Sequence, residues 1–195
     1  MQVTLTDKDA LIVVDVQTDF CPDGALAVPH GDEIVPALNR YLKLFDSGKL
    51  PVFATRDWHP EKHISFKEYG GIWPPHCIRN TDGAKFHPGL NLPISASIIS
   101  KATNRKSDAY SGFQKTKLKD MLKRIGIKRV FIGGLATDYC VKNTVLDALR
   151  SGFVTFLLAD AIKGVDINPG DSERAIDEML SAGAVGIAIN EIGQL

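Results

Sequence analysis

Three residues of chemically useful type follow short apolar runs. Asp15 follows Ala10-Leu11-Ile12-Val13-Val14, Lys101 follows Ser97-Ile98-Ile99-Ser100, and Cys140 comes shortly after Val130-Phe131-Ile132-Gly133-Gly134-Leu135. An acid, an ammonium and a thiol brought together make a nucleophilic centre, in which the thiolate attacks and the carboxylate moves the proton. Cys140 carries the strongest signal. Ala136-Thr137-Asp138-Tyr139-Cys140 passes from a strand pattern into a helical one, whose buried stripe is Val141, Thr144, Val145, Ala148 and Leu149. The cysteine is therefore expected in the first turn of a helix, where the partial positive charge of the N-terminus favours thiolate over thiol. The plainer reading, a core cysteine, is the commoner fate of a lone one.

A second group has metal-ligand character. Asp57-Trp58-His59-Pro60-Glu61-Lys62-His63 follows another apolar run, and Trp73-Pro74-Pro75-His76-Cys77 comes later. Asp-x-His at a strand end brings a carboxylate and an imidazole close together, a set that suits zinc, iron or manganese. Four of the five histidines (His59, His63, His76, His87) fall between residues 59 and 87. His63 reads as a ligand or as a support for one, His87 before Pro88 as a loop residue, and Cys77 as interior.

These residues need a scaffold that gathers strand ends. Strand patterns at about residues 10–15, 51–56, 96–101, 128–134, 153–159 and 185–189 alternate with helical patterns at about 32–47, 114–124, 137–149 and 171–183. Gly48 is the expected stop of the first helix, through the left-handed conformation glycine tolerates, and Pro36 falls in its first turn. The last three strands are apolar on both faces, as in a parallel sheet covered on each side. The expected fold is α/β, a three-layer α/β/α sandwich with a six-stranded, mainly parallel sheet. In such a sheet ligands bind outside the carboxyl ends of the strands. Residues 1–195 read as one domain, with a long insertion at about 58–95 carrying the histidines; a loop of that length is usually functional.

Composition narrows the partners. The chain has 195 residues, is 44% hydrophobic, and carries 23 basic against 23 acidic side chains. It has no basic patch, which argues against nucleic acid. The run at Ala10 to Val14 is too short to span a bilayer, and Met1 to Asp7 has neither a basic nor an apolar leader region. Cys21, Cys77 and Cys140 are too few and scattered for a disulfide framework, so a reducing cytoplasm is expected.

Taken together, the residues resemble the nicotinamidases of the isochorismatase-like cysteine hydrolase family over essentially the whole chain. The resemblance rests on Asp15-Val16-Gln17-Thr18-Asp19-Phe20, on Arg56-Asp57-Trp58-His59-Pro60 and Trp73-Pro74-Pro75-His76-Cys77, and on Lys101 ahead of Asp108-Ala109-Tyr110-Ser111-Gly112-Phe113. It also rests on Gly133-Gly134-Leu135-Ala136-Thr137-Asp138-Tyr139-Cys140-Val141 and on Asn168-Pro169-Gly170. The resemblance implies a catalytic triad of Asp15, Lys101 and Cys140, and an oxyanion hole from the N–H groups of Ala136 and Cys140. It further implies a cis Leu135–Ala136 bond and a ring pocket of Phe20, Trp73, Tyr110, Ala136 and Tyr139. One divalent metal is implied on Asp57, His59 and His76, zinc first, with iron or manganese compatible; it would engage the pyridine nitrogen. The implied reaction is hydrolysis of nicotinamide to nicotinate and ammonia through a cysteine thioester, as in NAD salvage, with pyrazinamide as a second substrate. Family members occur as monomers and as homo-oligomers.

The nearest rival is another small amide or ureide. A nucleotide-binding oxidoreductase would need a G-x-G-x-x-G turn after the first strand, where Asp15-Val16-Gln17-Thr18-Asp19 stands instead. A non-catalytic zinc or redox sensor built on Cys140 is the third reading. Gln17 and Asp19 either brace their loop by hydrogen bonds or face solvent. Cys21 reads as a bystander.

Overall fold

The computed structural model describes residues 2–193. Its strands are β1 (Val3–Thr4), β2 (Asp9–Val14), β3 (Val52–Asp57), β4 (Ser97–Lys101), β5 (Arg129–Leu135), β6 (Val154–Lys163), β7 (Val185–Ile187) and β8 (Ile192–Gly193). The α-helices are α1 (Val35–Ser47), α2 (Leu118–Arg124), α3 (Lys142–Arg150) and α4 (Asp171–Ser181). Six strands form one parallel sheet in the order β4-β3-β2-β5-β6-β7, and β1 pairs with β8 in a small parallel ribbon.

The apolar run of β2 explains why the sheet is covered on both sides. Leu11 and Val13 pack into a cluster with Leu38, Tyr41, Leu42 and Phe45 of α1. Ala10, Ile12 and Val14 face the opposite layer, with Leu118 and Leu122 of α2 and Val141, Val145 and Ala148 around α3. Successive side chains of a strand point to opposite faces, so five consecutive apolar residues mean two cores. All five are fully buried.

The chain reverses direction across the sheet between β2 and β5, so their carboxyl ends border a crevice at the topological switch point. The strands approach closely there. At Gly134, where φ is +132°, a Cβ would stand 2.1 Å from the Val14 carbonyl oxygen, so only glycine fits.

Several boundaries differ from the sequence expectation. A short 3-10 turn, Gly31–Ile34, precedes α1, which begins only at Val35 with Pro36 in its first turn. Gly48 has φ of −79°, and the left-handed residue that ends the helix is Lys49, at φ +54°. The lysine-rich helix is shorter than its pattern suggested. Thr116 donates its hydroxyl to Gly112 O and accepts from Leu118 N, so turns occupy the preceding residues and α2 starts at Leu118. β6 runs on to Lys163 through a register shift against β5 between Ile132 and Gly134, whereas β7 stops at Ile187. The β1–β8 ribbon went unforeseen because two-residue strands carry no periodicity. It is secured by Arg129, which grips the buried Asp9 with two guanidinium nitrogens and donates to Thr4 O.

Candidate active site

Four neighbouring strand ends supply the polar centre of the molecule. Asp15 follows β2, Asp57 closes β3, Lys101 closes β4, and the turn carrying Cys140 follows β5. In register, Asp57 lies beside Lys101, and Val14 lies between Thr55 and Gly134. Asp15 and Ala102 have positive φ (+49° and +52°), so the chain bends sharply just where these side chains must turn inward. The peptide bond Leu135–Ala136 is cis.

Lys101 is the hub. Its Nζ donates to Asp57 Oδ1 at 2.5 Å, to Ala109 O at 3.1 Å and to Cys140 Sγ at 3.5 Å, and lies 2.9 Å from Asp15 Oδ2. The side chain is only 1% exposed. Burial disfavours the ammonium, but Asp15 and Asp57 together outweigh that and push its pKa well above the ordinary lysine value. Asp15 accepts a hydrogen bond from Thr55 Oγ1 at 2.7 Å through Oδ1. Its Oδ2, though close to Lys101, lacks an aligned hydrogen bond and remains an open acceptor. Burial raises the Asp15 pKa above the ordinary carboxylate value; Lys101 counteracts this, and Asp57 reinforces it.

Cys140 departs from expectation in one respect. It lies in a π-helical turn, Thr137–Val141, that leads into α3, close to the expected helix start. Yet burial, with Asp15 and Asp57 adding to it, lifts its pKa well above the ordinary thiol value despite the pull of Lys101. Burial thus favours the thiol over the thiolate at this position. Asp15, Asp57 and Cys140 offer atoms within 4.8 Å of one another, so a carboxylate stands ready to receive the thiol proton.

The second cluster adjoins the first. Ligand atoms of Asp57, His59 and His76 also lie within 4.8 Å of one another, all three side chains buried. His59 Nδ1 lies 3.0 Å from His76 O, and His76 Nδ1 lies 2.8 Å from Pro74 O. Each ring therefore spends Nδ1–H on a carbonyl and leaves Nε2 as the coordinating nitrogen, the usual outer support of metal-bound histidine. Burial lowers the pKa of His59 to about 3 and that of His76 below its ordinary value, so both are neutral and ready to ligate. For Asp57 burial works towards a higher pKa, but the Lys101 ammonium above all draws it below the ordinary value. Asp57 divides its oxygens, Oδ1 to Lys101 and Oδ2 towards His76 Nε2 at 4.0 Å. The donor set fits a divalent cation.

His63 stands beside this group, its ring centroid 4.4 Å from that of His59. Its Nδ1 accepts from Ser65 Oγ and Ser65 N, and its Nε2 donates to Ser107 O, so both nitrogens are engaged. With His59 and Asp108 it forms a further cluster of ligand-type atoms. His87 is a partly exposed loop residue, and Cys77 is fully buried.

Gln17 and Asp19 brace the loops. Gln17 is completely buried; its Oε1 accepts from Asp57 N at 2.7 Å, while its Nε2 donates to Asp57 O and Ala84 O, each at 2.9 Å. Asp19 accepts from Cys77 N and Ala25 N, tying the chain next to His76 to the segment after Phe20.

A pocket with an empty volume of about 390 Å³, open mouth included, lies above both clusters. Phe20, Trp73, Tyr110, Ala136 and Tyr139 all line it, together with Cys140, Asp57 and His76. Trp73 Nε1 donates to Tyr110 Oη at 3.0 Å, and the Trp73 and Tyr139 rings meet edge to face at 5.1 Å. Asp15, Lys101 and His59 sit behind this lining. Its walls are apolar and flat, suited to an aromatic ring.

The pattern of an Isochorismatase domain matches residues 9–191. The chain belongs to that family. Within the isochorismatase family, the solved structure of the Pyrococcus horikoshii pyrazinamidase in complex with zinc is 53% identical, with a TM-score of 0.90, over 93% of this chain and 99% of that one. PnC1 from L. infantum, in complex with nicotinate, is 33% identical with a TM-score of 0.91, each chain covered completely. The nicotinamidase of Escherichia coli (strain K12) is 42% identical over 196 residues, covering 90% of this chain and 92% of that protein.

Other contributors escaped sequence reading. Thr55 was hidden within an apolar strand, although a polar residue beside Asp15 in the neighbouring strand was a usable signal. Phe66, fully buried, packs edge-on against His59, His63 and His76. Leu26, Val28 and Val165 complete the pocket from separate loops, with no local pattern to reveal them.

Proposed function

We propose that the chain hydrolyses nicotinamide to nicotinate and ammonia, a salvage step for the pyridine ring of NAD. Cys140 is the nucleophile, Asp15 the proton carrier and Lys101 the electrostatic partner of both. The observation that carries this reading is Cys140 at the wall of an aromatic pocket, within reach of Asp15 and Lys101, beside a three-donor metal cluster. The likeness to a nicotinamidase and to a zinc-bound pyrazinamidase supports it.

In the first half-reaction, Asp15 Oδ2 takes the thiol proton as Sγ attacks the carboxamide carbon. Lys101 offsets the charge that develops on sulfur; unit charges about 4 Å apart interact by roughly 4 kcal/mol at an effective dielectric near 20. The N–H groups of Ala136 and Cys140 receive the carbonyl oxygen as it becomes an oxyanion. Protonated Asp15 then gives its proton to the departing nitrogen, and ammonia leaves. In the second half, Asp15 deprotonates a water that attacks the thioester carbon, and Cys140 leaves and regains its proton.

Asp57, His59 and His76 would hold one divalent ion, for which zinc is the first choice on donor type. When bound, such an ion supplies a Lewis-acidic centre that engages the ring nitrogen and orients the ring. Pyrazinamide keeps both a ring nitrogen and the carboxamide, and is expected to react by the same route. Residues 1–195 act as one domain, with the stretch at about 58–95 as a metal-carrying insertion, and the three free cysteines suit a reducing cytoplasm.

Ammonia release from nicotinamide tests the reading. Activity is expected in the zinc-loaded protein, lost on chelation, restored by zinc, and absent in Cys140→Ala. An active alanine variant would show that the nucleophile lies elsewhere, and a wild type inert on nicotinamide but active on another small amide would transfer the site to that substrate.

A further inference from the structure

One wall of the pocket is not part of the sheet or of the aromatic loops. Val165 lines it from the segment between β6 and α4, and that segment is stitched down by side chains outside the catalytic set. Asp138, only 7% exposed, accepts from Val165 N through Oδ1 at 3.0 Å and from Asp166 N through Oδ2 at 2.9 Å. Asp166, left-handed at φ +50°, in turn accepts from Ser172 N at 2.8 Å and Ser172 Oγ at 2.7 Å, at the start of α4. Gly164 is wedged in the middle; a Cβ there would stand 1.7 Å from Ser172 Oγ and 3.2 Å from Asp138 Oδ1.

Asp138 lies in the same π-helical turn as Cys140, two residues before it. We infer that Asp138 is a specificity-determining positioning residue, whose carboxylate ties the Val165 wall to the turn that carries Cys140 and so fixes the width of the pocket. The inference rests on the nicotinamide reading for the identity of the ring it gauges. Each carboxylate oxygen serves one amide, so the pair acts as a two-point clamp. With the wall held to the nucleophile's own turn, the position of Val165 limits the size of ring the pocket accepts, and a ring with an added methyl is expected to be disfavoured.

Asp138→Asn is the direct test, because asparagine is the same size but offers one acceptor oxygen and turns an N–H₂ towards the second amide. In the zinc-loaded full-length chain, amide hydrogen exchange at Val165 and Asp166 is expected to accelerate at least tenfold in the variant. KM for nicotinamide should rise by about tenfold, with a smaller fall in kcat. The preference for nicotinamide over its ring-methylated analogues, as a ratio of kcat/KM, should narrow by about fivefold, and Val165→Ala should narrow it likewise. Unchanged exchange at those two amides would overturn the clamp. Faster exchange with KM and analogue preference unmoved would overturn its role in specificity. If Asp138→Asn does not fold, Ser172→Ala removes the hydroxyl bond of the tie to α4 while the Ser172 amide bond remains, and the same readouts should move in the same directions by about threefold; no movement overturns the proposal. A wild type inert on nicotinamide would sink the functional reading alone, since the exchange measurement still decides the clamp.

Discussion

The chemistry proposed here depends on how burial redistributes charge among a few side chains. Burial favours the thiol form of Cys140 against the pull of Lys101, so the proton must be moved for attack. Asp15, itself raised by burial, is the group placed to move it. Asp15→Asn is accordingly expected to lower kcat by about 10³-fold while leaving metal content intact, measured by turnover and elemental analysis. The histidines give a separate consequence. His59 is neutral when folded, with a pKa of about 3 against an ordinary 6.5. Between these values the unfolded chain binds more protons, so stability rises with pH, and what is present above about pH 6.5 is lost as pH falls towards 3. For the metal-free protein this amounts to about 2 kcal/mol at pH 5 from His59 alone. Denaturant midpoints measured from pH 7 to pH 4 should fall, and His59→Asn should flatten the curve; an unchanged slope in that variant would refute the assignment. At this scale Asp15, Lys101, Cys140, Asp57, His59 and His76 were legible because each stands at the end of a recognisable strand or in a dense histidine segment. The protonation state of Cys140 was not, because it depends on burial that only folding creates.

Among the elements, the sheet's contribution is to align four strand ends, and the loops' contribution is to hold what those ends carry. Gln17 shows how. Sitting in the loop after β2, it bonds both backbone groups of Asp57 at the end of β3 and so fixes the carboxylate's origin. Gln17→Ala should weaken metal binding by about 10- to 100-fold, read by competition with a chromophoric chelator, with the helical signal retained. Undiminished affinity would mean that β3 alone positions Asp57. Strand and helix positions were legible from apolar periodicity, as the alternating sides of β2 illustrate. Boundaries were less so. α2 yields its first turns to Thr116, whose hydroxyl bonds the nearby backbone at Gly112 and Leu118, and β6 gains length through a register shift against the distant strand β5.

As a whole, the molecule places its reaction centre at the switch point between β2 and β5, where the α/β topology leaves a crevice. Strand and helix alternation led to the expectation of a crevice at the carboxyl ends of the strands, but not to its place between β2 and β5, which the strand order sets. The pocket's outer wall did not follow from it either: Leu26, Val28 and Val165 come from loops that meet only in three dimensions, held by Asp19 and Asp138 through side-chain to backbone bonds without sequence periodicity. Among the described residues no helix is long and apolar enough to cross a membrane, and all three cysteines are free and buried. Burial, with Asp32 adding to it, pushes the Cys21 thiol up to about 11, and burial raises Cys77 well above its ordinary value; unlike Cys140, neither lines the pocket. The decisive measurement is therefore rapid acid quench of the zinc-loaded enzyme during nicotinamide turnover, followed by intact-mass and peptide analysis. A nicotinoyl group is expected on the peptide containing Cys140 and on neither of the other cysteines. Steady turnover with no acyl-enzyme at any quench time, or with the acyl group on another residue, would contradict the thioester route.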